Sequence, residues 1–436
     1  MNLKGWRIVV VADLGLASKD PIRVPAGDGD AILSALRPSA DVNGSRLDFA
    51  TEMAFSPSAL GPTPDAALHH PAFQRVESAF RGLKFLLQHC GPSIQVDVVS
   101  AAQKDLVERF KETVFDPEMQ ELRNPPLGLV LLDYDFSHQS GDLSVLSKVA
   151  ELCKIAQAPL IGGASPAFFG LKQLNLLPKL QDVPQRLHDG AHGAWVQFQK
   201  SEFGRWTSLT VNRWLQRAAY TADHGGHAEA IDPTKPESYL WGRGGWIVAA
   251  AIARSIGQHG HALDASGARS GGFTGLPTRP HQKAVNQFVP LCTEVELADS
   301  LIQELSRGAF IPLSGRTGSD QLMIPILVNA YRTAPGKLTV SGTLGYQMMA
   351  GRLAQLCAFL LEALPAGPEG AAFLKKELTD FLGPLAGKTP DAAVSVEPVD
   401  VKDAEGKLVK VAQITVQPEA RIESMEFKFV FQLPLR

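Results

Sequence analysis

Ser238-Tyr239-Leu240-Trp241-Gly242-Arg243-Gly244-Gly245-Trp246-Ile247-Val248-Ala249-Ala250-Ala251-Ile252-Ala253 joins an aromatic pair and a glycine cluster to an almost uncharged helical run. It carries no catalytic base and no metal ligand. Glycines let backbones approach closely, and a helix without a polar face belongs in an interior. The stretch therefore reads as architecture.

Strand and helix alternate outward from it. Trp6-Arg7-Ile8-Val9-Val10-Val11-Ala12 is a β-branched run ended by Asp13 and Gly15, hence a buried strand. Phe73, Val76, Phe80, Leu83 and Leu87 recur at helical spacing, with Pro71 at the first helical position. Ile94 to Val99 predicts a strand, and Leu106, Val107 and Phe110 part of a helix. Leu127 to Leu132 is apolar on both faces, as expected of a central strand covered by helices. Asp142 is placed to cap a helix carrying Leu143, Leu146, Val149, Leu152 and Ile155, after which Leu160-Ile161 returns as a short strand. This order predicts an α/β layer, a mixed sheet flanked by helices.

Beyond Ile311 the pattern changes. Tyr346, Met349, Leu353, Leu356 and Leu360 define one helix, and Phe373, Leu374, Leu378, Phe381 and Leu382 another. Ala393–Val401 and Leu408–Gln417 then alternate apolar and polar residues around an Asp403-Ala404-Glu405-Gly406 turn, and Met425, Phe427, Phe429 and Phe431 continue the period of two. A C-terminal antiparallel meander follows, so the chain is α+β overall. Near the N-terminus, Asp30 is placed to cap a helix over Ala31–Leu36. Leu47, Phe49, Met53 and Phe55 predict a half-buried strand. Leu60-Gly61-Pro62-Thr63-Pro64-Asp65 reads as a short linker, because its glycine and prolines disfavour helix. The expected division is an N-terminal block over 1–60, a body over 61–310 and a C-terminal unit over 311–436.

Composition removes several function classes. A chain of 436 residues that is 45% hydrophobic can bury one or two sizeable cores. Its net charge of -3, without a block of Lys or Arg, lacks the electrostatic footprint of a nucleic-acid binder. Cys90, Cys153, Cys292 and Cys357 are far apart, which argues against a zinc site and a disulfide framework and fits a reducing compartment. Neither a signal-peptide pattern at Met1–Val11 nor an apolar run of membrane-spanning length occurs, so the expected location is cytoplasmic, without membrane insertion.

Catalytic patterns fail on inspection. Gly163-Ala164-Ser165-Pro166-Ala167 approximates a nucleophile elbow, but Pro166 cannot donate the backbone N–H required from the residue after the nucleophile. Asp133 and Asp135 flank Tyr134 at a strand end, where carboxylates in open sheets bind magnesium or act as acid and base, yet no second ligand group is near in sequence. His224-Gly225-Gly226-His227 and His259-Gly260-His261 have nothing to fix their rings as metal ligands. Gly242–Gly245 and Gly271-Gly272 lack the phosphate-loop pattern. No catalytic residue, cofactor site or metal site is assigned. The enzymatic alternative is an α/β enzyme using Asp133, Asp135 or Ser165. Arg205, Arg213, Arg217 and Arg243, set among Trp206, Trp214, Tyr239 and Trp241, suit interface ion pairs.

Five segments in order resemble the large subunit of the type VI secretion contractile sheath, the TssC or VipB family. They are His69-His70-Pro71-Ala72-Phe73-Gln74 leading to Arg81-Gly82-Leu83; Leu127–His138 with its Asp133-Tyr134-Asp135 turn; Ala158–Gly170; Tyr239-Leu240-Trp241-Gly242; and Gly308-Ala309-Phe310-Ile311-Pro312-Leu313 with Gly318-Ser319-Asp320. The N-terminal strand and Phe55-Ser56-Pro57 are similar to the start of the small sheath subunit, the TssB or VipA family. Asn212 stands before Arg213 where the large-subunit family has proline. The resemblance implies a structural subunit, not an enzyme, whose C-terminal sheet accepts strands from neighbours and whose helical polymer contracts to drive an inner tube. On that reading Tyr239, Trp241, Gly242 and the turn Phe310-Ile311-Pro312 serve packing, and Val411, Ile414, Phe427 and Phe429 serve the assembling strands. The implied partners are the chain itself or separate sheath subunits, with inner tube and baseplate proteins beyond them. A departure sets the alternative: the free arm expected before His69 is replaced by the small-subunit-like block, which suits an accessory or capping subunit that docks without propagating.

Overall fold

The computed structural model describes residues 5–14, 20–24, 39–42, 45–50, 63–120, 125–222, 228–233, 235–365, 369–402 and 408–434. The Ala31–Leu36 helix, Phe55-Ser56-Pro57, His224–His227 and the Asp403–Gly406 turn lie outside them.

Seven strands form the main sheet. In chain order they are β1 (Trp6–Ala12), β2 (Ile22–Val24), β5 (Ile94–Ser100), β6 (Leu127–Phe136), β7 (Leu160–Ala164), β8 (Thr207–Val211) and β14 (Phe310–Pro312), arranged β14-β8-β7-β6-β1-β5-β2. β3 (Ser39–Val42) and β4 (Ser45–Ala50) pair as a separate hairpin. All neighbours in the main sheet run parallel except β2, which is antiparallel to β5. β1, the first strand of the sequence, is held in the middle, with Val10 opposite Val98 on one side and Leu131 on the other. Its side chains alternate between the two faces: Ile8, Val10 and Ala12 enter one core, and Val9 and Val11 the other. An uninterrupted β-branched run is what a strand covered on both faces requires.

The first core is closed by α1 (Pro71–Gln88) and α3 (Gly244–His259). His70 caps α1, its Nδ1 accepting from the Ala72 N–H at 3.2 Å. The helices cross where Gly82 meets Trp246. A Cβ on Gly82 would lie 2.5 Å from the indole, so only glycine lets this tryptophan sit fully enclosed. The second core is closed by α2 (Ser140–Ile155) and by the aromatic cluster Phe168, Trp195, Phe198 and Phe310.

Four sequence expectations are corrected. Helix begins at Pro64, inside the expected linker, because Thr63 Oγ1 accepts from the Ala66 N–H and proline suits a first helical turn. Asp142 is not the cap of α2 but lies in its first turn, reaching back to the Ser137 N–H and hydroxyl at 2.7 and 2.6 Å. Phe310-Ile311-Pro312 is not a turn but the edge strand β14, where Pro312 costs no inward hydrogen bond. Finally, Met425 and Phe427 precede the last strand, which starts at Phe429, because Ile422 and Met425 close a tight turn on each other.

Short strands β11 (Gly272–Phe273), β12 (Arg279–Ala284), β13 (Gln287–Leu291), β15 (Ser314–Gly315) and β16 (Leu322–Met323) are added to the body, and the chain then enters α5 (Leu344–Glu362). Leu344 and Met348 belong to the first core, whereas Leu353, Leu356 and Leu360 belong to a third, so one helix spans two packing units. It crosses the amino ends of the parallel strands: Gln355 donates to Leu127 O and Ala156 O at 2.7 and 3.0 Å, and Arg352 donates to Gly5 O. The third core is completed by α6 (Glu369–Leu382) and by β17 (Val394–Lys402), β18 (Leu408–Val416) and β19 (Phe429–Pro434).

Candidate functional site

The C-terminal sheet has the order β17-β18-β19, antiparallel throughout. Its register stacks Val396, Ile414 and Phe431 across one face, and the neighbouring Val416–Phe429 pair faces the same core. Phe429 packs on Tyr346 of α5 with ring centroids 4.5 Å apart, and on Phe427 at 5.4 Å. Val411, three residues from Ile414, points to the opposite face, where it pairs with Val399 and Pro434. Ile414, Phe427 and Phe429 are thus buried core of this unit, while Val411, also buried, lies on the sheet's other face. Among the described residues of this sheet, β18 alone is paired on both sides. Among the described residues, the outer borders of β17 and β19 pair with no strand. A border of that kind carries N–H and C=O groups directed at solvent, which is a template for strand addition.

The second candidate lies at the carboxyl end of the main sheet. β9 (Arg213–Leu215) and β10 (Trp241–Arg243) form an antiparallel pair that leads directly into α3. Gly242 is required there, because a Cβ would overlap the Gln216 amide and approach Trp214 Nε1 to 2.6 Å. Trp241 is half-buried, its Nε1 donating to Pro236 O at 2.8 Å, whereas Tyr239 is nearly enclosed at 8% exposure. Trp241 lines two adjoining clefts, one of about 370 Å³ with Arg75, Lys172 and Arg243, and one of about 600 Å³ with Pro236, Arg279 and Phe288.

The carboxylates that sequence offered for chemistry are committed to structure. Asp133 is buried, with Oδ1 accepting from Trp246 Nε1 at 2.8 Å and lying 3.4 Å from Arg243 Nη1. Arg243 Nε lies 3.0 Å from Asp135 Oδ2. Burial raises the Asp133 carboxyl above its ordinary range, against the opposing pull of Arg243 and the indole N–H. Arg243 is desolvated, but the two aspartates outweigh that and hold it charged. Ser165 donates its backbone N–H to Phe136 O and precedes a 3₁₀ turn at Pro166–Phe169. The nearby His138 turns Nδ1 to Ala167 O at 3.0 Å. Asp133, Asp135 and Ser165 do share one end of the sheet, without a nucleophile–base pair among them.

The arginines read as interface residues pair within the chain. Arg213 engages Glu294 at 2.5 and 2.9 Å, and Arg205 stacks over the Tyr331 ring at 4.1 Å. Arg217 joins Glu77 at 2.8 Å and Glu229 at 2.5 Å. Arg81 reaches the same Glu77 at 2.8 Å, and His69 Nε2 lies 3.2 Å from Glu229. This buried network fastens the His69-His70-Pro71 segment to the chain after β9. Burial acts to raise the Glu77 carboxyl, but Arg217 and Arg81 together hold it below its ordinary value. Sequence reasoning missed the network. Its one local signal was the i,i+4 pair Glu77–Arg81. It also missed Arg332, a buried guanidinium that donates to Ser306 O and Arg307 O at 2.7 and 3.1 Å and so satisfies the last carbonyls of α4 (Asp299–Arg307).

Among the described residues, no cluster of three potential ligands is placed to hold a metal ion, and no helix is long and apolar enough to cross a membrane. The four cysteines are free thiols.

A mostly parallel sheet closed by helices on both faces, its carboxyl-end aspartates locked in ion pairs and a separate open-bordered sheet appended, defines an architectural α/β subunit. The chain belongs to the VipB family, described as the EvpB/VC_A0108 tail sheath N-terminal domain, which matches residues 59–326. The type VI secretion system sheath protein TssC1 of Pseudomonas aeruginosa is 26% identical over 275 residues, 58% of this chain and 55% of that one. The chain thus spans about half the length of the curated relative it matches. The helical sheath of the anti-feeding prophage in its contracted state superposes with a TM-score of 0.51 at 11% identity, covering 98% of this chain and 93% of that one. A chain of the same particle's baseplate gives 0.50 at 11% identity over the same shares. These two likenesses are of fold. The family points to a structural rather than an enzymatic role.

Proposed function

We propose that this protein is a structural subunit of a type VI secretion-like contractile sheath, assembling by strand addition at the C-terminal sheet and contracting to drive an inner tube. The observation that carries the reading is the pair of open borders on β17 and β19, among the described residues, on a sheet anchored by its own core. Hydrogen-bonded ladders between subunits keep neighbours joined while the bodies rotate, and non-closing contacts generate helical filaments. Its partners are further copies of the chain or separate sheath subunits, then inner tube and baseplate proteins, and its place of work is the cytoplasm.

The division into units follows from the same reading. Of the units 1–60, 61–310 and 311–436, the C-terminal one serves assembly through α6 and β17–β19, its first part to Met348 packing into the body formed by 61–310, and the small-subunit-like block over 1–60 lends β1 to the body sheet. Val411, Ile414, Phe427 and Phe429 act in the assembling sheet, the last three by holding its shape. Tyr239, Trp241, Gly242, Phe310 and Pro312 act in packing. Catalysis has no part in the role.

Negative-stain electron microscopy of the purified chain tests this. Tubes, or tubes formed only with added sheath subunits, support it. Discrete particles that bind the end of another sheath without extending it would move the reading to a capping subunit, and a chain that stays monomeric with every partner would end it.

A further inference from the structure

The turn Ile422–Met425 lies between the C-terminal sheet and the body. Ile422 is buried in the third core, yet the next residue turns its carboxylate the other way, into the body. Glu423 Oε1 accepts from the Ser266 hydroxyl at 2.6 Å and from the Leu327 N–H at 2.9 Å. These two donors sit on adjacent body segments, since the Gly267 N–H donates to Ile324 O at 2.9 Å. Only Glu426, Phe427 and Lys428 separate the turn from β19.

Two costs fall on this contact. Glu423 and Ser424 both have left-handed backbones, at φ 48° and 67°, where residues bearing a Cβ are strained. The carboxylate is also desolvated against neutral donors, and burial pushes its acid form above the ordinary carboxyl range. Strain of this kind persists only while the surrounding contacts hold it.

We propose that the Ile422–Met425 turn is a releasable clasp: Glu423 fastens the C-terminal sheet to the body, and its release lets that sheet swing about α5 while the main sheet stays folded. The inference rests on the assembly reading for its use, because a neighbour paired with β19 would pull on the turn through three residues. Its geometry stands without it. The clasp would hold one direction of the sheet until load or a competing donor opens it.

Hydrogen exchange on the full unassembled chain tests the clasp. Glu423→Ala is expected to speed exchange at the Leu327 amide and across 422–428 by on the order of 10-fold, the loss of a hydrogen bond to a charged acceptor. Ser424→Gly, which relieves strain and keeps the carboxylate, is expected to slow it by about 3-fold. Amides of β1 and β6 should exchange as in the parent. Should Glu423→Ala not fold, Ser266→Ala removes one donor and is read in the same way. Unchanged exchange at Leu327, or acceleration that spreads equally to β1 and β6, overturns the clasp. Because no polymer enters the measurement, that failure would leave the assembly reading standing, whereas the expected exchange in a chain that never assembles would count against that reading alone.

Discussion

The indole N–H of Trp246 donates to Oδ1 of Asp133 at 2.8 Å, joining the first turn of α3 to the carboxyl end of β6. The same carboxylate faces Arg243, and the same indole presses on Gly82 of α1. One tryptophan thus ties a strand and two helices together. Trp246→Phe keeps most of the apolar volume but takes the indole donor from the buried Asp133 carboxylate and leaves it Arg243 alone, which should cost about 1–3 kcal/mol. Trp246→Ala should cost about 3–5 kcal/mol. Trp241, five residues earlier, is only half-buried, so Trp241→Ala should cost about 1–2 kcal/mol. Urea denaturation of the three variants ranks them, and an equal or larger loss at Trp241 would show that the packing centre is misplaced.

The contact at Gly82 makes a sharper test. Gly82→Ala puts a methyl 2.5 Å from the indole carbons, an overpacking worth about 1–3 kcal/mol. With Trp246→Phe the smaller ring frees room, so the double variant should lose less than the two single losses added together. A double-mutant cycle by chemical denaturation measures this; simple additivity would mean that the helices had moved apart instead.

How much of this was legible turns on range. The β1 run, the helix period at Phe73–Leu87 and the C-terminal alternation each depend on neighbours within a few residues, and each formed close to where it was read, the last strand alone starting late, at Phe429. Which strand lies beside which depends on long-range closure, so sequence alone did not place β1 between β5 and β6 or make Phe310-Ile311-Pro312 a strand. The same holds for charge. Glu77–Arg81 could be seen, but Arg217 lies 140 residues from Glu77, and nothing local to Arg217 distinguishes an internal pair from an interface one.

That buried network should govern acid stability. Glu77 is held below the ordinary carboxyl value of 4.5, so its contribution is present in full above that value and is lost as pH falls through the lower native one. Glu77→Gln leaves Arg217 with Glu229 as its remaining carboxylate and should cost about 1–3 kcal/mol at neutral pH. The difference from the parent should shrink in acid, where the parent carboxylate is itself neutralised. Guanidinium midpoints at neutral pH and below pH 4 compare the two, with a pH-independent gap counting against an ionic role.

Assembly can be separated from folding at Val430. This residue lies on the border strand β19, opposite Thr415 of β18, and is 54% exposed, so the monomer gains little from it. A lysine on a border strand discourages pairing with a further chain, because the incoming strand would have to desolvate the ammonium group. Val430→Lys should therefore keep the parent denaturation midpoint to within about 0.5 kcal/mol. It should also abolish tubes, or copolymers with added sheath subunits, in electron micrographs. Ile414→Ala is the counterpart: its side chain is wholly enclosed between β17, β19 and the helices behind them, so it should destabilise the C-terminal unit by about 2–4 kcal/mol before assembly is even possible. Polymers formed by Val430→Lys as readily as by the parent would mean that the β19 border is not where the next chain adds, and would shift attention to β17, the other border of the same sheet.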